Sequence, residues 1–314
     1  MTSKLDIVLV TGANAGLGFE ACRQLASDHG VKTVVMACRN AKKAQAAIEK
    51  LVKETGKPSS TFKFLQMDAS DLASCRDAVD NLDVNLDGVV MNAGGPADTN
   101  GHEIGPNGTT QIFQINVLGH AVFIEKLIAS GKLNKNARTV LSGSETARGV
   151  PEFGLAAAVY ESHTADCIST HIDGSYFDGK YDKNVAYSFV KSIGALYMGA
   201  LARKNPDYVL VTMSPGVTAG TDIMKDMPWY QRVPMSIIAP LMMGNVKTGA
   251  GRYVSVLLEA ETLGDAPSGK FFASPKGKVH GKEVVDQVVI CDDYANEELQ
   301  DAAFEAIHRF IPSS

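Results

Sequence analysis

Residues 11–18 read Thr-Gly-Ala-Asn-Ala-Gly-Leu-Gly and stand between an apolar run and a segment with helical spacing. The first glycine permits a tight turn, the second lets backbone approach a pyrophosphate, and the third allows a helix to pack closely on a strand. The amino end of that helix carries a partial positive charge that attracts phosphate. A plain strand-to-helix turn is the alternative, but this context favours a dinucleotide site lined by Gly12, Asn14, Ala15, Gly16, Leu17 and Gly18.

Apolar runs and helical segments alternate along the rest of the chain. The runs are apolar throughout, which is typical of strands that are buried on both faces. Their repeated alternation with helices predicts an α/β fold with a doubly wound parallel sheet, the Rossmann fold. The predicted strands are residues 7–10, 33–37, 62–67, 88–91, 139–142 and 209–213, and the clearest helices are residues 18–27, 41–52, 72–81, 111–128, 187–202 and 297–310.

The length of 314 residues is large for one ordinary domain. The sequence contains no internal repeat and no low-complexity linker, so we predict a single domain over residues 1–314. Residues 145–183 and 217–245 depart from the strand-helix alternation and are expected as insertions on the substrate side. Residues 264–314 are expected to form a C-terminal extension, with a hairpin or loop before its helix.

The composition restricts the classes of function. Thirty Lys and Arg against thirty-five Asp and Glu give a net charge of -5, which argues against binding to the negative backbone of nucleic acid. The five cysteines are scattered, and no spacing of cysteine or histidine predicts a metal site. The first residues do not resemble a signal peptide, so we expect a cytoplasmic protein, although a chain trimmed of an organellar transit peptide would look the same.

The end of the second predicted strand distinguishes NAD from NADP. An acidic residue there would bind the adenosine ribose and repel a 2′-phosphate, but this chain has Arg39. A guanidinium can form a charge-assisted pair of hydrogen bonds to a phosphate, so we predict NADP(H). Asp68 and Ala69, after the third strand, are expected near the adenine, with a helix cap as the alternative role of Asp68.

Tyr187 and Lys191 form a Tyr-x-x-x-Lys pair, whose spacing places both side chains on one face of a helix. With this pair the chain resembles the short-chain dehydrogenase/reductase family over nearly its whole length. The motifs occur in the family's order, which argues against a chance pair. They are residues 11–18, Asn92-Ala93-Gly94, Asn116, Ser142-Gly143-Ser144, Tyr187 with Lys191, and Pro215-Gly216.

The resemblance implies a role for each matching residue. Tyr187 would be the general acid in reduction and the base in oxidation, and its phenol, with an ordinary pKa of about 10, would need a neighbouring cation. Lys191 would supply that charge and bind the nicotinamide ribose. Ser144, preferred to Ser142, would hydrogen-bond the substrate oxygen, and Asn116 would hold a water of a proton relay. The further cofactor contacts implied are Asn92, Ala93, Gly94, Pro215, Gly216, Val217 and Thr218.

Within the family, residues 35–40 are similar to retinol-dehydrogenase-like reductases and to light-dependent protochlorophyllide reductase, and residues 172–179 are similar to the latter. Val217 stands where the photoreductase has a cysteine, which argues against light-driven chemistry. The first prediction is hydride transfer between NADP(H) and a carbonyl or secondary alcohol. Reduction of a C=C bond in a tetrapyrrole is one alternative, and a catalytically silent NADP-binding sensor or scaffold is the other.

Methionine and aromatic residues after Pro215-Gly216 suit a bulky hydrophobic substrate, although packing of a helix pair or a subunit interface would use the same residues. The resemblance also makes a homodimer or homotetramer reasonable. Contact with a membrane is expected to be at most peripheral, through basic residues between positions 270 and 282. The candidate substrate contacts are Tyr160, Phe177, Met224, Met227, Trp229 and Tyr230.

Overall fold

The computed structural model describes residues 5–96, 101–151, 154–217, 244–259, 263–264 and 266–312. The strands are β1 (Ile7–Thr11), β2 (Thr33–Cys38), β3 (Phe62–Gln66), β4 (Leu86–Met91), β5 (Leu133–Ser142), β6 (Val209–Met213), β7 (Phe271–Ala273) and β8 (Val285–Asp286). The main helices are α1 (Gly16–Ser27), α2 (Ala41–Thr55), α3 (Leu72–Asp80), α4 (Gln111–Ala129), α5 (Ala165–Asp173), α6 (Lys183–Lys204), α7 (Val246–Glu259) and α8 (Glu297–His308).

All eight strands form one sheet in the order β3-β2-β1-β4-β5-β6-β7-β8. Every neighbouring pair is parallel except β7 and β8, which are antiparallel. The winding proceeds from β1 towards β3 on one side and from β4 towards β8 on the other, so a crevice opens at the carboxyl ends of β1 and β4. The predicted doubly wound sheet is confirmed, and all six predicted strands are present.

Helices cover both faces of the sheet, and successive strand residues point to opposite faces. In β1, Leu9 belongs to the cluster beneath α3, α4 and α6, whereas Val8 and Val10 belong to the cluster beneath α1, α2 and α7. These three side chains are fully buried. The apolar runs of the central strands therefore correspond to strands enclosed between two layers of helices, whereas β3, at the edge of the sheet, exposes Lys63, Phe64 and Gln66.

Helices α5 and α8 form an outer layer against α6. Glu125 of α4 joins this layer, since it accepts hydrogen bonds from the Tyr197 hydroxyl at 2.6 Å and from His308 Nε2 at 3.0 Å. By length and composition alone, α4 and α6 are long and apolar enough to cross a membrane. Most of each lies buried inside the fold, as core helices do.

Two helices were not predicted from the sequence. Helix α5 lies within residues 145–183, and its Ser, Thr and Asp residues favour turns as readily as helix. Helix α7 contains two glycines, which weaken helix propensity, so tertiary packing decides its structure. The predicted hairpin or loop at residues 264–290 supplies β7 and β8. Residues 218–243 of the expected insertion lie outside the described part of the chain.

A close helix contact gives a test of the packing. Gly119 of α4 lies against the backbone of Ala69, where an added Cβ would be 2.9 Å from the carbonyl carbon and closer still to the oxygen. Gly119→Ala should therefore lower the free energy of unfolding by about 1–3 kcal/mol. The matched control is Gly251→Ala in α7, where the nearest atom, Gln24 Oε1, is 3.5 Å away and a gain of up to about 1 kcal/mol is expected. Urea denaturation measures both, and equal stabilities of the two variants would contradict this packing.

Candidate active site

The carboxyl ends of the parallel strands bring the sequence motifs to one edge of the sheet. The glycine turn follows β1, Arg39 follows β2, and Asp68 lies just beyond β3. The segment 92–94 follows β4, and Ser144 follows β5. Because parallel strands all end at the same edge, residues far apart in sequence become neighbours there.

Thr11 joins the ends of β1 and β4. Its buried hydroxyl accepts hydrogen bonds from the backbone N–H of Asn92 and of Ala93, both at 2.8 Å. The Asn92 side chain donates in return to the Thr11 carbonyl at 3.0 Å. Gly12 has a φ of +63°, and a Cβ added there would lie 3.0 Å from Ala93 Cα. The turn thus requires glycine both for its backbone conformation and for its contact with β4.

The amino end of α1 fits the predicted phosphate site. Its N-cap is Ala15, which makes no side-chain capping hydrogen bond, so backbone N–H groups of the first turn are left available. Gly16 is exposed and has no atom within 4 Å of the position of a Cβ. Asn14 and Leu17 are half-buried beside this opening, and Gly18 is buried where a Cβ would lie 2.5 Å from the Gly12 carbonyl oxygen.

Arg39 is exposed at the end of β2, beside the turn. Within the described ranges its guanidinium has no hydrogen-bond or ion-pair partner, and only its carbonyl is engaged, by the Gln66 side chain at 2.8 Å. Asp68 has an internal partner instead, since its Oδ1 accepts from the backbone and hydroxyl of Ser70 at 2.9 and 2.7 Å. Asp68 therefore stabilises its own turn, and Ala69 is buried next to it.

Asn116 lies in a turn of π-helix, residues 114–118, within α4. Its side chain accepts from the Gly95 N–H at 2.9 Å and donates to the carbonyls of Gly95 at 3.0 Å and Ile112 at 2.8 Å. Gly94 is exposed, and a Cβ there would lie 2.5 Å from Asn116 Oδ1. The amide thus fixes the segment after β4, and the predicted residues 92–94 and Asn116 are brought together.

Tyr187, Lys191 and Ser144 converge at the ends of α6 and β5. The Ser144 side chain lowers the pKa of the Tyr187 phenol, and its hydroxyl accepts from the Thr146 N–H at 3.2 Å and from the Thr146 hydroxyl at 3.0 Å. The Lys191 ammonium lies 5.5 Å from the centre of the Tyr187 ring and donates to the Ser142 carbonyl at 2.8 Å. The Ser142 hydroxyl is engaged by the Tyr253 hydroxyl at 2.6 Å. Of the two serines, Ser144 is therefore the one whose hydroxyl meets Tyr187.

The enclosed environment shifts the pKa values of this group. Burial raises the pKa of the Tyr187 phenol above its ordinary value, the bond with Ser144 offsets part of that effect, and the negative charge of Glu145 raises it further. Burial lowers the pKa of Lys191 to about 7. At neutral pH Tyr187 is therefore a phenol, the form that holds a proton for donation.

A buried ion pair lies directly next to Ser144. Glu145 and Arg252 have side chains that are each 2 % exposed, with 3.3 Å between Oε1 and a guanidinium nitrogen. Glu145 also accepts from Ser214, and from the Ser274 N–H at 3.2 Å and hydroxyl at 2.9 Å. Arg252 donates to the carbonyls of Ser214 at 3.0 Å and Gly281 at 2.9 Å. One network therefore connects the Ser144 segment, the segment after β6, α7 and the residues after β7.

Hydrogen bonds and a close backbone contact fix the segment that follows β6. Pro215 is half-buried and Gly216 is buried with a φ of +79°, and a Cβ on Gly216 would lie 3.0 Å from the Val279 carbonyl oxygen. Val217 donates to that carbonyl at 2.7 Å and accepts from the Gly244 N–H at 2.7 Å. Thr218, predicted as a cofactor contact, lies outside the described residues.

Of the candidate substrate contacts, the structure describes Tyr160 and Phe177. Tyr160 is buried against Phe189 and His171, and Phe189 is two positions from Tyr187, on another side of α6. The structure thus places Tyr160 in the packing of α5 on α6, away from the Tyr187 side. Phe177 is half-buried in a surface row of aromatic rings. The remaining candidates, Met224, Met227, Trp229 and Tyr230, lie outside the described residues.

Three polar residues beneath the site were not predicted from the sequence. Arg252 is a single charge in the apolar stretch of α7, and Glu145 directly follows Ser144. The sequence position of each residue could therefore have identified it as a candidate. His120 is buried in α4 and lies four residues after Asn116, on the same helix face. In the described part of the chain, no group of three or more His, Cys, Asp and Glu side chains is arranged to hold a metal ion.

One protein family and several known proteins are similar in sequence to this chain. The family described as short chain dehydrogenase matches residues 6–157. The short chain dehydrogenase sor7 of Hypocrea jecorina is 28% identical over 278 residues, which cover 82% of this chain and 73% of the relative. The chloroplastic protochlorophyllide reductase of Chlamydomonas reinhardtii is 34% identical over 154 residues, 46% of this chain and 37% of that protein.

Solved structures share the fold. The structure of salutaridine reductase from Papaver somniferum aligns with a TM-score of 0.60 at 23% sequence identity. The alignment covers 84% of this chain and 98% of that one. At this identity the comparison shows a common architecture and nothing about substrate.

The buried ion pair yields a stability prediction. Arg252→Met keeps the apolar stem but leaves the Glu145 carboxylate buried without its cation, so the free energy of unfolding should fall by about 3–5 kcal/mol. Lys278→Met is the control, because the Lys278–Glu283 pair, 2.9 Å apart, is exposed and worth less than about 1 kcal/mol. Chemical denaturation compares the two variants. A loss in Arg252→Met no larger than in the control would show that the buried pair does not stabilise the site.

Proposed function

Because this chain belongs to the short-chain dehydrogenase/reductase family, we propose that it is an NADP(H)-dependent oxidoreductase acting on a carbonyl or secondary alcohol of a bulky hydrophobic substrate. The observation that carries the proposal is the convergence of Ser144, Tyr187 and Lys191 beside the glycine turn. The family uses a nicotinamide cofactor, which supplies or accepts the hydride when bound. Fold alone would not justify the activity, since one fold serves many chemistries.

In the proposed reduction, residues of this chain donate a proton to the substrate and recover it from solvent. Tyr187, a phenol at neutral pH, donates its proton to the substrate oxygen as the carbon gains the hydride, which converts a carbonyl into an alcohol. Ser144, which lowers the pKa of Tyr187, would stabilise the phenolate and contact the same substrate oxygen. Lys191, with a pKa of about 7, is a cation in about half of the molecules at neutral pH and in that form would also stabilise the phenolate. Asn116 would support return of the proton from solvent through a bound water.

The preference for NADP(H) rests on Arg39. Its guanidinium is exposed with no partner in the described ranges, and Arg39 lies two positions after Ala37, whose carbonyl accepts from the Gly12 N–H of the glycine turn at 2.9 Å. It can therefore meet a 2′-phosphate without first breaking another bond. The residues that would hold the rest of the nucleotide are the glycine turn with Asn14, Ala15 and Leu17, the segment 92–94, and Pro215 to Thr218. Asp68 and Ala69 would border the adenine.

A second candidate is reduction of a tetrapyrrole C=C bond. It is supported by the similarity to the algal protochlorophyllide reductase, although that similarity covers less than half of this chain. Val217 cannot donate a proton, so a photoreductase-type delivery from this position is absent. A decisive experiment incubates the protein with NADPH and protochlorophyllide in light and in darkness. Conversion that requires light would replace carbonyl reduction as the proposed activity.

Removal of the Tyr187 hydroxyl tests the mechanism. Tyr187→Phe should lower kcat for NADPH-dependent reduction of the best substrate in a panel of bulky ketones and aldehydes by about 100- to 10,000-fold. NADPH absorbance measures the rate. The control is Tyr208→Phe, since Tyr208 precedes β6 at the opposite edge of the sheet and should leave kcat unchanged. A Tyr187→Phe protein with full activity would favour a catalytically silent, NADP-binding role instead.

Substitution of Arg39 tests the cofactor preference. Arg39→Ala should raise the Kd for NADPH by about 10- to 100-fold, the effect of losing charge-assisted hydrogen bonds, while the Kd for NADH stays the same. Fluorescence titration with each dinucleotide provides both constants. The exposed Lys53 of α2 serves as control, because Lys53→Ala removes a surface charge away from the turn. Equal affinity of the unmodified protein for NADH and NADPH would refute the preference.

A further inference from the structure

His120 lies beneath the candidate site, and the proposed mechanism gives it no role. It belongs to α4 and is 1 % exposed. Its ring has two polar neighbours: Thr11 Oγ1 lies 3.0 Å from Nε2, and the main-chain oxygen of Asn116 lies 3.2 Å from Nδ1. These neighbours belong respectively to the turn beneath the expected cofactor and to the π-helical turn of α4.

The hydrogen bonds around Thr11 determine which ring nitrogen carries the proton. The Thr11 oxygen already accepts from the N–H groups of Asn92 and Ala93, so its own hydrogen is left to donate to His120 Nε2. A nitrogen that accepts carries no proton. The proton of a neutral ring is therefore on Nδ1, where it is donated to the Asn116 carbonyl, which can only accept.

The ring is also neutral. Burial lowers the pKa of His120 to about 4, the bond with the Asn116 carbonyl opposes this in part, and the nearby Lys191 ammonium disfavours a second cation. Thr11 and Asn116, the other polar groups in contact with the ring, carry no charge that would stabilise an imidazolium. A neutral donor therefore connects the two segments without repelling Lys191.

We propose that His120 is a positioning residue: as a neutral imidazole protonated on Nδ1, it accepts from the Thr11 hydroxyl, donates to the Asn116 main chain, and couples the cofactor turn to the relay residue. The coupling to a relay rests on the proposed function, whereas the protonation pattern rests on the geometry alone. Gly95 and Ile112 hold the Asn116 side chain, so His120 supplies the matching restraint on its main chain.

The protonation pattern is measurable without any substrate. Protein labelled with nitrogen-15 in its seven histidines gives two-bond nitrogen–proton spectra that distinguish the tautomers. We expect the His120 imidazole to be in the Nδ1–H form and not to titrate between about pH 5 and pH 8. Its signals should vanish in His120→Asn and persist in His29→Asn, which alters an exposed histidine. A His120 signal in the Nε2–H form, or one that titrates near pH 6.5, overturns the proposal.

Two variants of Thr11 test the contact on the other side of the ring. Thr11→Val keeps the shape but removes the hydroxyl that donates to Nε2. The Asn116 carbonyl still accepts from Nδ1–H, so the ring should keep that tautomer while its Nε2 nitrogen-15 signal shifts to that of a nitrogen without a hydrogen bond. Thr11→Ser retains the hydroxyl and should retain the Nδ1–H form. Identical His120 Nε2 signals in both variants would show that Thr11 does not donate to the ring. If Thr11→Val fails to fold, the spectra of the unmodified protein decide the question, because an Nε2–H form there would exclude donation from Thr11.

The positioning role predicts a difference between two substitutions of His120. The side-chain amide of His120→Asn can still donate to the Asn116 carbonyl, whereas His120→Phe cannot. Reduction of phenanthrenequinone with NADPH should be roughly tenfold slower in kcat for His120→Phe than for His120→Asn, with Kd values for NADPH within roughly threefold. Equal kcat values would overturn the positioning role. Absence of turnover in the unmodified protein would count against the proposed function only, because the spectra test the His120 contacts independently.

Discussion

The hydrogen bonds from the backbone of Asn92 and Ala93 to the hydroxyl of Thr11 join β1 and β4 where the winding of the sheet changes direction. Strands β1 and β4 pair directly as far as Val10 and Val90, and the Thr11 hydroxyl continues their connection to the segment that borders the crevice. One threonine hydroxyl satisfies two backbone donors that the ladder leaves unpaired. The glycine turn follows directly from that junction, and His120 of α4 contacts it from below.

Much of the architecture could be predicted because local sequence patterns, such as apolar runs and helical spacing, identify many of the strands and helices. Strand β6 is apolar at nearly every position, and the Tyr187–Lys191 spacing identifies a helix face without reference to any partner. Helix α7 could not be predicted in this way, since its glycines weaken the local signal and its burial against α1 decides the outcome. Local propensity is a weak guide wherever packing supplies most of the stabilisation.

The parts of the site that the sequence did not predict depend on partners distant along the chain. Arg252 meets Glu145 across 107 positions, and His120 meets Thr11 across 109. Neither pair has a motif, because only the folded sheet brings its members within hydrogen-bonding distance. Tyr160 shows a different limit. Composition identifies an aromatic segment, but it does not predict the side of α6 on which the rings of that segment pack. Individual functional residues on strand ends were accessible from sequence, whereas the charges and rings beneath them were not.

The outer layer formed by α5 and α8 also bears on the order of folding. Helix α6 carries Tyr187 and Lys191, and one of its apolar sides is covered by α8, which is synthesised about a hundred residues later. During translation helix α6 therefore emerges with that side uncovered, and exposed apolar surface of this kind favours aggregation and chaperone binding. The packing of α6 is completed only after residues 297–308 have been synthesised, so a chain interrupted before α8 keeps an incomplete core against the helix that carries Tyr187 and Lys191.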